Sequence, residues 1–142
     1  MDLPKAISLL HRKMNAELNY RLNKIGLSNA KLRLMKHLNN KEEMTQADLC
    51  RDLELDKSTV AKMLNRMESH GFITKHTKPD DSRFVWLSLT PKSRQIIPKS
   101  EIIISEWSKD VTSVLSETEK ELFYELLHKI SQQAAAMFHK QL

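Results

Sequence analysis

The sequence predicts a mainly α-helical fold with one small β-ribbon, in which a helix-turn-helix lies between long terminal helices. Three observations predict it. Apolar residues recur at three- and four-residue steps over most of the chain, the pattern of helices with one inward face. Two short helical stretches are separated only by "ELD", Glu54 to Asp56, so they must cross at an angle as a helix-turn-helix does. Finally, "FITKHT" and "FVWLSL" alternate as strands do, around a charged, turn-forming "KPDDSR".

Taken in order, Leu3, Ile7, Leu10, Met14, Leu18, Leu22 and Ile25 form one stripe on a long first helix, which Gly26 ends by supplying a left-handed residue. Ser28 caps a second helix whose Leu32, Met35 and Leu38 share a face, and "NNKEE" closes it. Thr45 with Asp48 resembles a capping box and opens a short helix through Leu53. Asp56 caps the next helix, which turns Val60, Leu64 and Met67 inward and stops at Gly71. The ribbon follows, with Pro79 and the two aspartates suited to its turn. Thr90 before Pro91 starts a helix in which Pro98 predicts a kink. "SETE", Ser116 to Glu119, is a capping box for a last helix carrying Leu122, Phe123, Leu126, Leu127, Ile130, Ala134 and Met137 on one stripe.

Composition narrows the function classes. A chain of 142 residues fits a single domain with a modest core, and is short for an enzyme with a deep cleft. No apolar run reaches membrane-span length, and the run after Lys5 is interrupted by His11, Arg12 and Lys13 before it could serve as a signal peptide, so a cytoplasmic protein is expected. The lone Cys50 can form no internal disulfide, and the six histidines show no metal-ligand spacing, so neither a metal nor a cofactor is expected. Ser, His and Asp are present, but none in a glycine-rich or elbow-like setting.

Charge is unevenly distributed. Between Asp56 and Arg94 eight basic residues oppose four acidic ones, whereas from Glu101 to the end four basic residues oppose seven acidic ones. A basic middle and an acidic C-terminal part suggest a polyanion-binding face and a separate part with another task. The terminal helices carry more apolar surface than a small helix-turn-helix can cover, so pairing of two chains through the first, fifth and sixth helices is expected.

Helix-turn-helix, ribbon and long helix, in that order, make a winged helix-turn-helix with long N- and C-terminal dimerisation helices. In "DKSTVAKMLNRMESHGFI", Asp56 to Ile73, and "KPDDSRFVWLSLTPKS", Lys78 to Ser93, the sequence resembles the multiple-antibiotic-resistance regulator (MarR) family, and the resemblance covers nearly the whole chain. It implies one MarR-like domain over residues 1–142, with the winged lobe at 28–90 and dimerisation helices at 1–26 and 91–142. It also implies a homodimeric regulator of transcription that binds double-stranded DNA at a pseudo-palindromic operator, acting as a repressor released by a small aromatic or phenolic ligand. The ribbon then looks like a wing that probes a groove.

A recognition helix in the major groove exposes its N-terminal residues to base edges and phosphates. Here those are Lys57, Ser58, Thr59, Lys62 and Arg66, with Ser58 and Thr59 read as small donors and Lys62 as long enough for a purine edge or phosphate. Thr45 and Gln46 at the first helix of the pair, and Lys75, Lys78, Asp81 and Arg83 on the ribbon, complete the candidate DNA-contacting set. A narrow A·T-rich minor groove concentrates negative potential and attracts an inserted guanidinium. The family pairs an aspartate with such an arginine in its wing, and Asp81 and Arg83 match that pattern.

The chain departs from the family in several places. Ser82 stands where many members carry a further arginine, implying weaker minor-groove affinity, and Ser93 where a glycine is common. Cys50 is not in the first helix, where peroxide-sensing members keep theirs, and reads as core. The histidine and acid cluster of zinc-responsive members is missing. For the ligand, the resemblance implies a cleft between dimer helices and DNA-binding lobe, with His11, Arg12 and Met35 as candidates to line it. The alternative reading is a winged-helix protein-interaction module that does not bind DNA.

Overall fold

A computed structural model of the chain describes residues 1–139; Lys140 and the two residues after it, the end of the range 91–142, lie outside the described residues. The elements run α1 (Leu3–Asn23), α2 (Asn29–Asn39), β1 (Met44–Thr45), α3 (Gln46–Leu53), α4 (Lys57–Ser69), β2 (Ile73–Lys78), β3 (Asp81–Leu89), α5 (Pro91–Thr112) and α6 (Glu117–His139). This is a winged helix. The chain divides into two compact units, Met1–Ile104 and a second beginning at Ser105.

The caps expected at Ser28, Thr45 and Asp56 form, and Asp2 caps α1 as well. Asp2, Ser28, Thr45 and Asp56 each accept the backbone N–H three residues on, at 2.8, 3.2, 3.1 and 2.9 Å. These bonds satisfy donors that the first turn of a helix leaves without partners. Gly26 and Gly71, at φ +79° and +77°, close α1 and α4 in the same way. After α4, Gly71 N–H donates to Glu68 O at 3.0 Å and Phe72 N–H to Met67 O at 2.8 Å, the paired bonds of a Schellman motif. After α1, Gly26 N–H reaches Asn23 O and Leu27 N–H reaches Leu22 O. Regular helix therefore ends at Asn23, and Ile25 belongs to the closing turn.

The turn between α3 and α4 uses this motif without a glycine. Glu54 adopts φ +54°, with Glu54 N–H donating to Arg51 O and Leu55 N–H to Cys50 O, both at 3.2 Å. An L-residue in this region is strained by about 1–2 kcal/mol, while a glycine there loses about 0.4–1 kcal/mol more entropy on folding. Glu54→Gly is therefore expected to raise stability by about 1 kcal/mol. A chemical denaturation curve with its midpoint unmoved or lowered would contradict this.

The sheet has three antiparallel strands in the order β1-β3-β2, not the two expected. β1 pairs Met44 with Leu87 and Thr45 with Trp86. A two-residue strand is too short to show alternation, so the sequence carried no signal for it. β2 and β3 pair from Ile73↔Leu89 to Lys78↔Asp81, with an irregularity between His76 and Lys78. The strands thus extend into "KPDDSR" and leave only Pro79 and Asp80 to turn, so that Asp81 and Arg83 are strand residues.

The core of the first unit is built from Leu18 and Leu22 of α1, Leu32, Leu34, Met35 and Leu38 of α2, Leu49 and Leu53 of α3, Val60, Leu64 and Met67 of α4, and Ile73, Leu87 and Leu89 of the sheet. Burying each such side chain contributes roughly 1.5–3 kcal/mol, which fixes the helix pair against the wing. Leu34 is wholly buried although it lies off the Leu32, Met35, Leu38 stripe, so α2 is covered on more than one side.

The start of α5 is tied to the corner between α4 and β2. Thr90 Oγ1 donates to Gly71 O at 2.6 Å, Ser93 Oγ to Phe72 O at 2.5 Å, and Lys92 Nζ to His70 O at 2.8 Å. Ser93 is wholly buried, so its hydroxyl supplies a bond that a glycine could not. Helix α5 is continuous through Pro98.

In the second unit Ser116 and Glu119 complete a capping box for α6: Ser116 N–H donates to the Glu119 carboxylate at 2.8 Å, and Glu119 N–H to Ser116 Oγ at 3.2 Å. Its stripe residues Leu122, Phe123, Leu126, Leu127, Ile130 and Met137 are exposed. No helix among the described residues is long and apolar enough to cross a membrane.

Candidate nucleic-acid interface

The site begins at the N-terminus of α4. Asp56 lies in an extended conformation just before the helix, and its carboxylate accepts from Thr59 N–H at 2.9 Å, Ser58 Oγ at 2.6 Å and Thr59 Oγ1 at 2.5 Å. Hydrogen bonds from Ser58 and then Thr59 hold its pKa far below the usual carboxylate value, so it is ionised at neutral pH. Ser58 and Thr59 are exposed, and Val60, Leu64 and Met67 anchor the opposite side of the helix in the core.

The predicted cations fall into two groups. Lys57, Lys62 and Arg66 are exposed on α4 and make no ion pair among the described residues. Lys75 and Lys78 are engaged. Lys75 Nζ donates to Asn65 Oδ1 at 2.5 Å and lies 3.9 Å from Glu68. Lys78 pairs with Glu43, which His76 also contacts at 3.1 Å, and sits 3.6 Å from the centroid of the Trp86 ring. The pairing of Glu43 with Lys78, then with His76, lowers the pKa of its carboxyl.

A cation already held by carboxylate and ring releases few counterions on meeting DNA, whereas a free one contributes about 0.9 to the slope of log K against log salt per phosphate contact. Lys62→Ala is expected to reduce that slope by about 1. Lys78→Ala is expected to leave the slope nearly unchanged and to cost stability of about 0.5–1 kcal/mol from the lost cation–π contact. Salt titrations and a denaturation curve for each variant separate the two roles.

On the wing, Asp81 grips Arg83 as expected. Arg83 Nε lies 3.0 Å from Asp81 Oδ1 and the second guanidinium nitrogen 3.2 Å from Oδ2, while Arg83 N–H also donates to Oδ1 at 3.3 Å. The pairing lowers the pKa of Asp81 and raises that of Arg83. The Arg83 side chain is nevertheless 81% exposed, with its guanidinium carbon 5.6 Å from the Phe84 ring centroid.

Helix pair and wing meet in one groove of about 630 Å³, lined by Thr45, Gln46, Ala47, Cys50 and Arg51 of α3 and its cap, Leu55 of the turn, Lys57 at the start of α4, and Arg83, Phe84 and Val85 of β3. Ala47, Leu55, Phe84 and Val85 give it apolar walls, and Arg51, Lys57 and Arg83 a cationic lining. Gln46 is half-buried on this groove. Thr45 is only 8% exposed and its hydroxyl is engaged as the α3 cap, which limits its reach toward a ligand. Cys50 is half-buried on the groove rather than in the core, because on α3 it lies at the edge of the face that buries Leu49 and Leu53 and not at its centre.

The residues expected to line a ligand cleft are not brought together on this groove. Met35 is wholly buried in the core, whereas His11 and Arg12 are exposed on α1, where His11 contacts Asn15 at 2.9 Å. Sequence reasoning missed Arg51, Leu55, Phe84 and Val85 as groove residues, and Glu43 as the partner of Lys78. The alternation of "FVWLSL" does place Phe84 and Trp86 on one side and Val85 and Leu87 on the other, but it cannot say what either side meets. Among the described residues no group of three or more His, Cys, Asp or Glu could hold a metal ion.

The family model of MarR matches residues 27–85, from the end of the α1 turn to the wing strand. Residues 27–85 form a MarR-family domain. Over 105 residues, 74% of this chain and 64% of the other, the sequence is 28% identical to an uncharacterized HTH-type transcriptional regulator, YdgJ, of Bacillus subtilis strain 168; the match thus spans somewhat under two thirds of that relative. Among solved structures, a mutant MarR from E. coli complexed with operator DNA superposes with a TM-score of 0.79 at 22% identity, covering 90% of this chain and 92% of that one. A MepR–DNA complex from S. aureus gives 0.80 at 20% identity, covering 94% and 98%. At these identities the superpositions establish the shared winged-helix fold.

Proposed function

We propose that this MarR-family chain is a dimeric, sequence-specific DNA-binding regulator of transcription, acting as a repressor that a small ligand releases. The observation that carries the reading is that Lys57 at the start of α4 and Arg83 on the wing line one groove, so helix and wing present cations on a common face. With α4 in a major groove, Lys62 and Arg66 reach phosphates or base edges while Arg83 reaches the adjacent minor groove. The operator-bound state of the E. coli MarR relative and the DNA-bound state of MepR support this reading.

Pairing of chains rests on the exposed apolar residues Leu3, Ile7 and Leu10 of α1, Ile102 of α5, and the stripe on α6. In this reading residues 28–90 are the DNA-binding lobe, and 1–26 with 91–142 the dimerisation helices. A twofold dimer reads two half-sites roughly one helical turn apart. Selection from a random duplex library should therefore return a pseudo-palindrome with that spacing. A single unpaired motif, or no enrichment, would contradict the proposal.

The groove between helix pair and wing is a further candidate site for a small ligand. Its apolar walls and its lining of Arg51, Lys57 and Arg83 suit an aromatic acid, which would occupy Lys57 and Arg83 and so compete with DNA. Calorimetry with an aromatic-acid panel should give heat that Arg83→Ala reduces.

A further inference from the structure

The hydroxyls of Ser58 and Thr59 are the small polar groups at the start of α4, and their protons are already committed. Ser58 Oγ lies 2.6 Å from one Asp56 oxygen and Thr59 Oγ1 2.5 Å from the other. An ionised carboxylate only accepts, so in both bonds the hydroxyl must be the donor. Each hydroxyl oxygen retains lone pairs, and both residues are exposed. Toward solvent they present acceptors, the reverse of the donor role expected from residue type alone.

The major groove distinguishes these roles. Guanine N7 and O6, adenine N7 and thymine O4 accept, while adenine N6 and cytosine N4 carry amino groups that donate. Phosphate oxygens only accept as well. A hydroxyl whose proton is held by Asp56 is therefore mismatched to phosphate, to guanine and to thymine O4, and matched to an exocyclic amino group.

On the reading that α4 enters a major groove, we propose that Asp56 sets the specificity of the recognition helix by fixing Ser58 and Thr59 as acceptors that read the amino groups of adenine or cytosine. Asp56 acts through the two hydroxyls and is a positioning residue. Lys57, Lys62 and Arg66 supply the sequence-independent phosphate attraction.

The test uses the full chain on the duplex obtained by library selection, with affinity read by fluorescence anisotropy. At each base pair of a half-site, adenine is replaced by purine or cytosine by 2-pyrimidinone, which removes the amino group. In separate duplexes a 7-deaza purine removes the N7 acceptor. Each duplex is measured with the parent chain, Ser58→Ala and Thr59→Val, so that a double-mutant cycle cancels the effect of the analogue on the duplex itself.

The expected result is a coupling of roughly 2- to 10-fold in affinity between a hydroxyl and one amino group, the worth of a single hydrogen bond, with no coupling to N7. The salt slope stays unchanged in both variants. Asp56→Ser keeps a competent helix cap but frees the hydroxyls to rotate; the amino-group coupling should shrink in it while its helical content holds.

Coupling of either hydroxyl to N7, a fall in salt slope on losing a hydroxyl, or absence of coupling to any amino group overturns the inference while leaving DNA binding intact. Absence of salt-dependent binding to any duplex removes the DNA-binding reading, and this inference with it.

Discussion

Arg83→Ala is expected to weaken binding to an A·T-rich duplex by about 1–3 kcal/mol, roughly 5- to 150-fold. The side chain is 81% exposed, so its loss leaves the core untouched, and circular dichroism of the variant should match the parent. The gain on binding comes from placing a guanidinium where a narrow groove concentrates negative potential. Asp81 contributes by holding the guanidinium plane through two contacts of 3.0 and 3.2 Å, which reduces the rotamer freedom lost on insertion. Asp81→Ala should cost less than Arg83→Ala, because it also removes an anion that repels phosphate. Anisotropy at one fixed salt concentration, on A·T-rich and G·C-rich duplexes, checks both. An equal loss on the two duplexes would place Arg83 on the phosphate backbone instead of in the minor groove.

Leu126→Asp with Leu127→Asp on α6 is expected to have the largest effect, converting a dimer to a monomer. Both leucines lie on the exposed stripe, at 47% and 44% exposure, so the substitutions leave the fold of the single chain unstrained. In a dimer the same positions would be buried, and an unpartnered buried charge costs on the order of 3–5 kcal/mol. Sedimentation at micromolar concentration should show the parent as dimer and the variant as monomer. DNA affinity should fall as well, since two half-sites are no longer bound by linked lobes and the gain in effective concentration is lost. A parent that sediments as a monomer would remove the dimer from the proposal.

Much of this architecture was legible in the sequence, because it rests on local chemistry. Asp56 before "KSTV" is a cap whatever surrounds it, and Gly71 at the end of that helix supplies the left-handed residue the closing bonds require. The Asp81 and Arg83 pair lies within three residues and needed only the wing to form. Other features depend on tertiary partners and left no local trace. The strand Met44–Thr45 exists because Leu87 and Trp86 lie beside it. Glu54 adopts a conformation suited to glycine where the chain turns from α3 into α4, and no glycine marks that turn in the sequence.

Net charge proved a coarse guide to the interface for the same reason. Lys75 and Lys78 count as cations in sequence but are held by Asn65, Glu68 and Glu43, residues up to 35 positions away. Lys62 and Arg66 carry the same formal charge and remain available. Ser58 and Thr59 lie in the first turn of α4, yet their hydrogen-bonding polarity follows from Asp56, and it reverses the donor role their chemistry alone suggests.

Whether helix pair and wing form a DNA-binding face is tested by a salt series of fluorescence anisotropy with the parent chain on an A·T-rich duplex. Tight binding at low salt is expected, with log K falling linearly against log salt at a slope equivalent to several released counterions. Weak binding at low salt with no dependence on salt would contradict it, and would favour a winged helix that docks on protein.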